Sequence, residues 1–104
     1  MIIGGNQMKP KYMTCSVSKG VPVEIQSFLW QCFEMAMKQG MTDYLHIFEC
    51  EMTSQKIANQ TIIHRCEIPF FEQEYTLTID GPIESKFYII DEYEYSILMY
   101  ANEY

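Results

Sequence analysis

Basic residues are scarce in this chain. Seven Lys and Arg stand against fourteen Asp and Glu, too few to grip a run of phosphates, so direct nucleic-acid binding is disfavoured. Long apolar runs are missing too. Crossing a bilayer takes about 20 consecutive apolar residues, and no stretch approaches that length, so no membrane association is expected. The four cysteines, Cys15, Cys32, Cys50 and Cys66, form no C-x-x-C pair and follow no secretory signal. That pattern argues for reduced thiols in the cytoplasm rather than a disulfide framework, and free cysteines are read here as small buried hydrophobes. Catalytic signatures are also absent: there is no G-x-S-x-G, P-loop, G-x-G-x-x-G or H-E-x-x-H run. Hydrolase, nucleotide and metalloprotease readings therefore lack their motifs, and neither enzyme activity nor a cofactor is expected.

What is present is enough for one core. The chain has 104 residues, 48% of them hydrophobic, which suits a single globular domain. Its clearest pattern lies between Pro22 and Gly40, where Ile25, Phe28, Leu29, Cys32, Phe33 and Ala36 recur at helical spacing opposite Glu24, Ser27, Gln31, Glu34 and Lys38. One long amphipathic helix is predicted there, with Pro22 in its first turn and Gly40 just past its end. A one-sided helix needs a second layer to cover its stripe. Trp30 lies off that stripe and reads either as the flank of a wider core or, with Val23 and Met37, as an exposed patch for a partner.

Strand patterns supply the second layer. Residues 1–10 read as a flexible leader and 11–104 as a single α+β domain. Alternation predicts strands over Lys11–Ser18, Tyr44–Met52, Thr61–Ile68, Glu74–Ile79 and Lys86–Ile90, with a bend at Phe70–Gln73 and a turn at Asp80–Gly81–Pro82. The fourth and fifth of these are expected to pair. Asp91–Tyr104 admits a helix or a hairpin strand turning at Asp91–Glu94, and the strand is favoured. Connections this short point to a mostly antiparallel sheet of about four to six strands with the helix on one face.

His46, Cys50, His64 and Cys66 share strand-face parity and invite a zinc reading. At about 3.3 Å per residue, however, His46 and Cys50 lie roughly 13 Å apart along one strand, so without a bulge only part of the set could bind one ion, and no metal is expected. A small ribonuclease using His64 and Arg65 is the least poor catalytic alternative.

Charge is the stronger anomaly. Up to Cys66 five acids face six bases, but from Glu67 to Tyr104 nine acids face Lys86 alone. Six of the eight tyrosines, Tyr75, Tyr88, Tyr93, Tyr95, Tyr100 and Tyr104, fall in that acidic third. They read either as amphipathic strand formers on a wet face or as a binding surface, since tyrosine offers rigid contact area and carboxylates pair with Lys and Arg. The partner-binding candidates are Asp91, Glu92, Tyr93, Glu94 and Tyr95, with Glu72 and Glu74 as a second cluster.

Several runs together carry a resemblance: Gly20–Val21–Pro22, Leu29–Trp30, Asp43–Tyr44–Leu45–His46–Ile47–Phe48–Glu49, Ile68–Pro69, Tyr88–Ile89–Ile90–Asp91 and Ala101–Asn102–Glu103–Tyr104. From Tyr12 to Tyr104 the chain resembles a small Gram-positive bacterial family, domain of unknown function 960. Its motifs are structural, so the resemblance transfers no catalytic residue. Proteins similar to this family, carried on mobile elements, include anti-CRISPR inhibitors of type II effector nucleases. With the acidity and the tyrosines, the resemblance implies a non-catalytic acidic inhibitor that binds a basic nucleic-acid-handling protein and blocks guide RNA or DNA; a monomer or weak homodimer is expected. A cytosolic interaction module with another partner is the alternative.

Overall fold

The computed structural model describes residues 9–55 and 57–104. Its elements are β1 (Lys11–Met13), α1 (Cys15–Gly20), α2 (Val23–Lys38), β2 (Leu45–Met52), β3 (Gln60–Cys66), β4 (Phe71–Leu77), β5 (Ser85–Asp91) and β6 (Ser96–Tyr100), closed by a 3-10 turn over Ala101–Glu103. Two helices replace the one long helix expected. The longer, α2, begins after Pro22, whose carbonyl accepts the N–H groups of Ile25 and Gln26. It ends before Gly40, which takes φ 92°, a left-handed turn that costs glycine little. Ile25, Leu29, Cys32, Phe33 and Ala36 are buried along it, the predicted stripe.

α1 overturns the strand expected over Lys11–Ser18. Only Lys11–Met13 are extended. Thr14 then caps a helical turn, its Oγ1 accepting the N–H of Val17 at 3.3 Å, and Val17 alone of that helix is buried. With one core residue in six there is no periodicity to read, and the alternation of small polar residues imitates a strand. Gln26 ties the two helices together: its buried Nε2 donates to the carbonyls of Val17 and Val21.

The sheet runs β1-β6-β5-β2-β3-β4. All neighbours are antiparallel except β1 and β6, which are parallel. The expected pairing of the fourth and fifth strands does not occur. β5 lies between β2 and β6, with Phe87 opposite Phe48 and Ile89 opposite His46, while β4 is an edge strand beside β3. Burial explains the exchange. Phe87, Ile89 and Ile90 are buried on both faces of β5 and suit a central place, whereas β4 carries exposed Glu72, Gln73 and Glu74, residues that blunt an edge. β4 also begins earlier than predicted, taking in Phe71, Glu72 and Gln73 where a bend was expected.

Two side chains steer the connection from β4 to β5. Asn59 brackets Ile79, accepting its N–H at 3.0 Å and donating to its carbonyl at 2.7 Å. Gln60, fully buried, does the same to Ile83 and also donates to the carbonyls of Glu51 and Thr61. The chain is thereby carried across β3 and β2 before it re-enters the sheet.

α2 covers one face. Its residues meet Phe48, Cys50, Ile62, Phe87, Ile89 and Leu98 in a single core. Phe28 packs edge-on to Tyr75 at 5.2 Å, and Trp30 edge-on to Phe33 at 5.7 Å with the Lys11 ammonium 5.9 Å from its ring centre. Trp30 is therefore the flank of the core, partly covered by a cation. Of the expected leader, residues 1–8 lie outside the described residues. Lys9 and Pro10 are engaged, Lys9 Nζ with Asp91 Oδ1 at 2.6 Å and the Pro10 carbonyl with the N–H of Ser96 at 3.0 Å.

Candidate functional site

The antiparallel registers bring two turns and one loop to the same end of the sheet: residues 67–70 between β3 and β4, residues 92–95 between β5 and β6, and Asp43–Tyr44 ahead of β2. Three anchors fix them to one another. Asp43 accepts the N–H groups of Leu45 at 3.3 Å, Glu67 at 3.1 Å and Ile68 at 3.0 Å. Burial pushes its carboxyl up, but the amides of Ile68, Leu45 and Glu67 together pull it below the ordinary range. The Tyr44 carbonyl accepts the N–H of Asp91 at 2.7 Å. Lys9 clamps Asp91 and the carbonyl of Glu92, and Asp91 also accepts Ser96 Oγ at 2.9 Å.

On this pinned backbone the tips are apolar and exposed. Ile68 is 78% exposed, Phe70 71% and Tyr93 92%. Around them the exposed carboxylates of Glu67, Glu92 and Glu94 have no ion-pair partner among the described residues. Tyr44 stands between the two turns, its hydroxyl 3.4 Å from that of Tyr104, and Tyr104 lies back against the edge of Tyr88 at 5.6 Å. Anchored backbone with exposed aromatic tips loses little conformational freedom on contact.

The candidates read from sequence fare unequally. Glu92, Tyr93 and Glu94 form the hairpin tip. Tyr95 packs edge-on to Tyr12 at 5.8 Å and borders it. Asp91, with a side chain only 12% exposed, is a structural pin. Glu72 opens β4 at the same end but pairs with Arg65, which also reaches Glu49. Glu74 lies further along the edge strand. β2 and β3 separate β4 from β5, so the two clusters stand about 14 Å apart, three strand spacings. Sequence reasoning missed Tyr44, Ile68 and Phe70. The signal available was Ile68–Pro69–Phe70 at a strand end, since apolar residues around a proline there have no ladder to enter.

Directly beneath this rim the sheet holds a polar cluster. His46, His64 and Cys66 are buried; His46 Nδ1 is 2.9 Å from His64 Nε2 and 3.4 Å from Cys66 Sγ. Three of the four residues considered for zinc thus meet, and Cys50 does not. Pairing across β2 and β3 brings the three together, which counting along one strand does not reveal. Phe48 stacks on His64 at 4.3 Å, and Phe33 and Phe71 meet the two rings edge-on. Burial lowers the His64 imidazole to about 3, with His46 adding to the effect, and lowers His46 as well. Burial raises the Cys66 thiol to about 11, Asp43 contributing. Cys32 and Cys50 are likewise buried, as expected, and pushed up to about 12, but Cys15, at the start of α1, is exposed.

A family model described as staphylococcal protein of unknown function, DUF960, matches residues 10–103. The chain belongs to this family. A DUF960 fold is thus the setting of the rim and of the buried cluster. The chain is also similar to a solved structure, the crystal structure of a protein of unknown function from Enterococcus faecalis. That likeness has a TM-score of 0.76 at 14% identity, covering 100% of this chain and 98% of that one, and it speaks to the fold alone. No curated protein matches the chain. Among the described residues no helix is long and apolar enough to cross a membrane.

Proposed function

We propose that this DUF960 chain is a non-catalytic protein-binding module whose rim docks on a basic surface of another protein. One observation carries the reading: Ile68, Phe70 and Tyr93 stand exposed among Glu67, Glu92 and Glu94 on backbone anchored by Asp43 and Asp91. The apolar tips supply contact area that is released from water on docking, and the carboxylates select Lys and Arg around it. The acidity supports a basic partner surface, and the resemblance drawn from sequence supports a nucleic-acid-handling protein as its bearer. The sharper form, inhibition of a type II CRISPR effector nuclease by occupying its guide or target channel, is supported by the resemblance drawn from sequence and by that acidity.

Purified effector nuclease without guide RNA is the probe. Its binding to the chain is measured by biolayer interferometry across ionic strengths, together with guide loading. Association should slow as salt rises. Replacing Phe70 and Tyr93 together by Ala should weaken binding about 30-fold or more, mainly through dissociation. Glu92→Lys with Glu94→Lys should reduce both affinity and salt sensitivity. Equal binding by the folded Phe70/Tyr93 variant would overturn the site, and no binding to the nuclease at low salt would overturn the sharper form. Cleavage of guide RNA by the purified chain would favour a ribonuclease instead.

A further inference from the structure

The buried cluster has the donors and the shape of a metal site. We propose that His46 Nδ1, His64 Nε2 and Cys66 Sγ bind one cuprous ion. These three atoms lie within 4.8 Å of one another, two of the separations being 2.9 and 3.4 Å. Tetrahedral or trigonal coordination at metal–nitrogen bonds of about 2.0 Å and metal–sulfur bonds of about 2.3 Å places such donors about 3.3–3.8 Å apart. The imidazoles need move apart by only a few tenths of an ångström.

In the metal-free chain the cluster's own hydrogen bonding is incomplete. Two neutral imidazoles facing each other share one hydrogen bond, and their far nitrogens, His46 Nε2 and His64 Nδ1, are buried with no partner at hydrogen-bond geometry. Satisfied buried polar groups are the rule, so a pair left this way calls for a reason. The backbone of Met41 and Asp43 lies near the His46 ring and offers the carbonyls that a ligating histidine uses as its second contact.

Charge and coordination number choose the ion. A cuprous ion with one thiolate and two neutral imidazoles is electrically neutral, whereas a divalent ion leaves a net positive charge among Phe33, Phe48 and Phe71. No other His, Cys, Asp or Glu among the described residues joins the cluster. Asp43 spends its oxygens on three backbone amides. Three soft or borderline donors with no fourth suit Cu(I). On binding, Cys66 releases its thiol proton to solvent, and the proton shared between the rings moves to the far nitrogen of its own ring. One proton leaves for each ion bound, and no redox change occurs.

The reduced full chain is titrated with Cu(I) in competition with bicinchoninate, and the loaded protein is examined by X-ray absorption. One equivalent should bind, with a first shell of two nitrogens and one sulfur. Cys66→Ser should lower affinity about 100-fold or more, while Cys15→Ser, at an exposed thiol, should change nothing. Unchanged binding in Cys66→Ser, loss in Cys15→Ser, no retention against the chelator, or preferential uptake of zinc would each overturn the proposal. Should Cys66→Ser fail to fold, the sulfur-to-nitrogen ratio around copper in the parent chain decides.

Discussion

Leu29 is fully buried at the centre of the α2 stripe. Leu29→Ala should therefore cost about 2–5 kcal/mol through lost transfer energy and the cavity left behind, read as a lower urea midpoint at unchanged slope. The histidines give a second residue-scale expectation. In the unfolded chain they protonate near 6.5, but in the folded metal-free chain both are held lower, His64 at about 3. Below pH 6.5 the unfolded state binds more protons, so this contribution to stability is complete above that value and drains away as pH falls toward 3. The window between about pH 6.5 and 5 is where the unfolded histidines take up protons while folded His64 stays neutral. His64→Gln should flatten the slope there; equal slopes in parent and variant would contradict the assignment. At this scale Leu29, Phe33 and Gly40 were legible because helical period and φ > 0 each leave a local mark. The meeting of His46 with Cys66 was not, because it depends on which residues face each other across two strands.

Among the elements, the join between β4 and β5 rests on Gln60. Gln60→Leu keeps the volume but strips the part-buried N–H and carbonyl of Ile83 of their side-chain partner, and a buried polar group left unpaired costs about 1–3 kcal/mol. Urea denaturation should show a loss of at least that size, and hydrogen exchange should quicken at Ile83 before it does in β5. Such a clamp explains why the order of strands escaped sequence reading. The alternation of β2, β3, β4 and β5 was visible within a few residues of their bounds, yet neighbours were assigned by adjacency along the chain. The side chains of Asn59 and Gln60, which send the connection across β3 and β2, look in sequence like ordinary loop polars. α1 was hidden for a different reason, having a single core contact to announce it.

At the level of the whole molecule, the acidic third divides between a working rim and a structural frame: Glu92, Tyr93 and Glu94 face outward, while Asp91 and Glu103 bind their own chain. A charge count finds the anomaly and cannot make that division, which takes the partners of each carboxylate. The sheet's far edge carries a further implication. Lys11–Met13 align with Ser96–Leu98 in parallel, so β1 has β6 as its sole neighbour among the described residues. A chain is made from its amino end, and a parallel ladder cannot close before both of its strands exist. During synthesis β1 must emerge and wait, uncommitted, until β6 has cleared the ribosome. At that edge the order of manufacture and the order of assembly run in opposite directions.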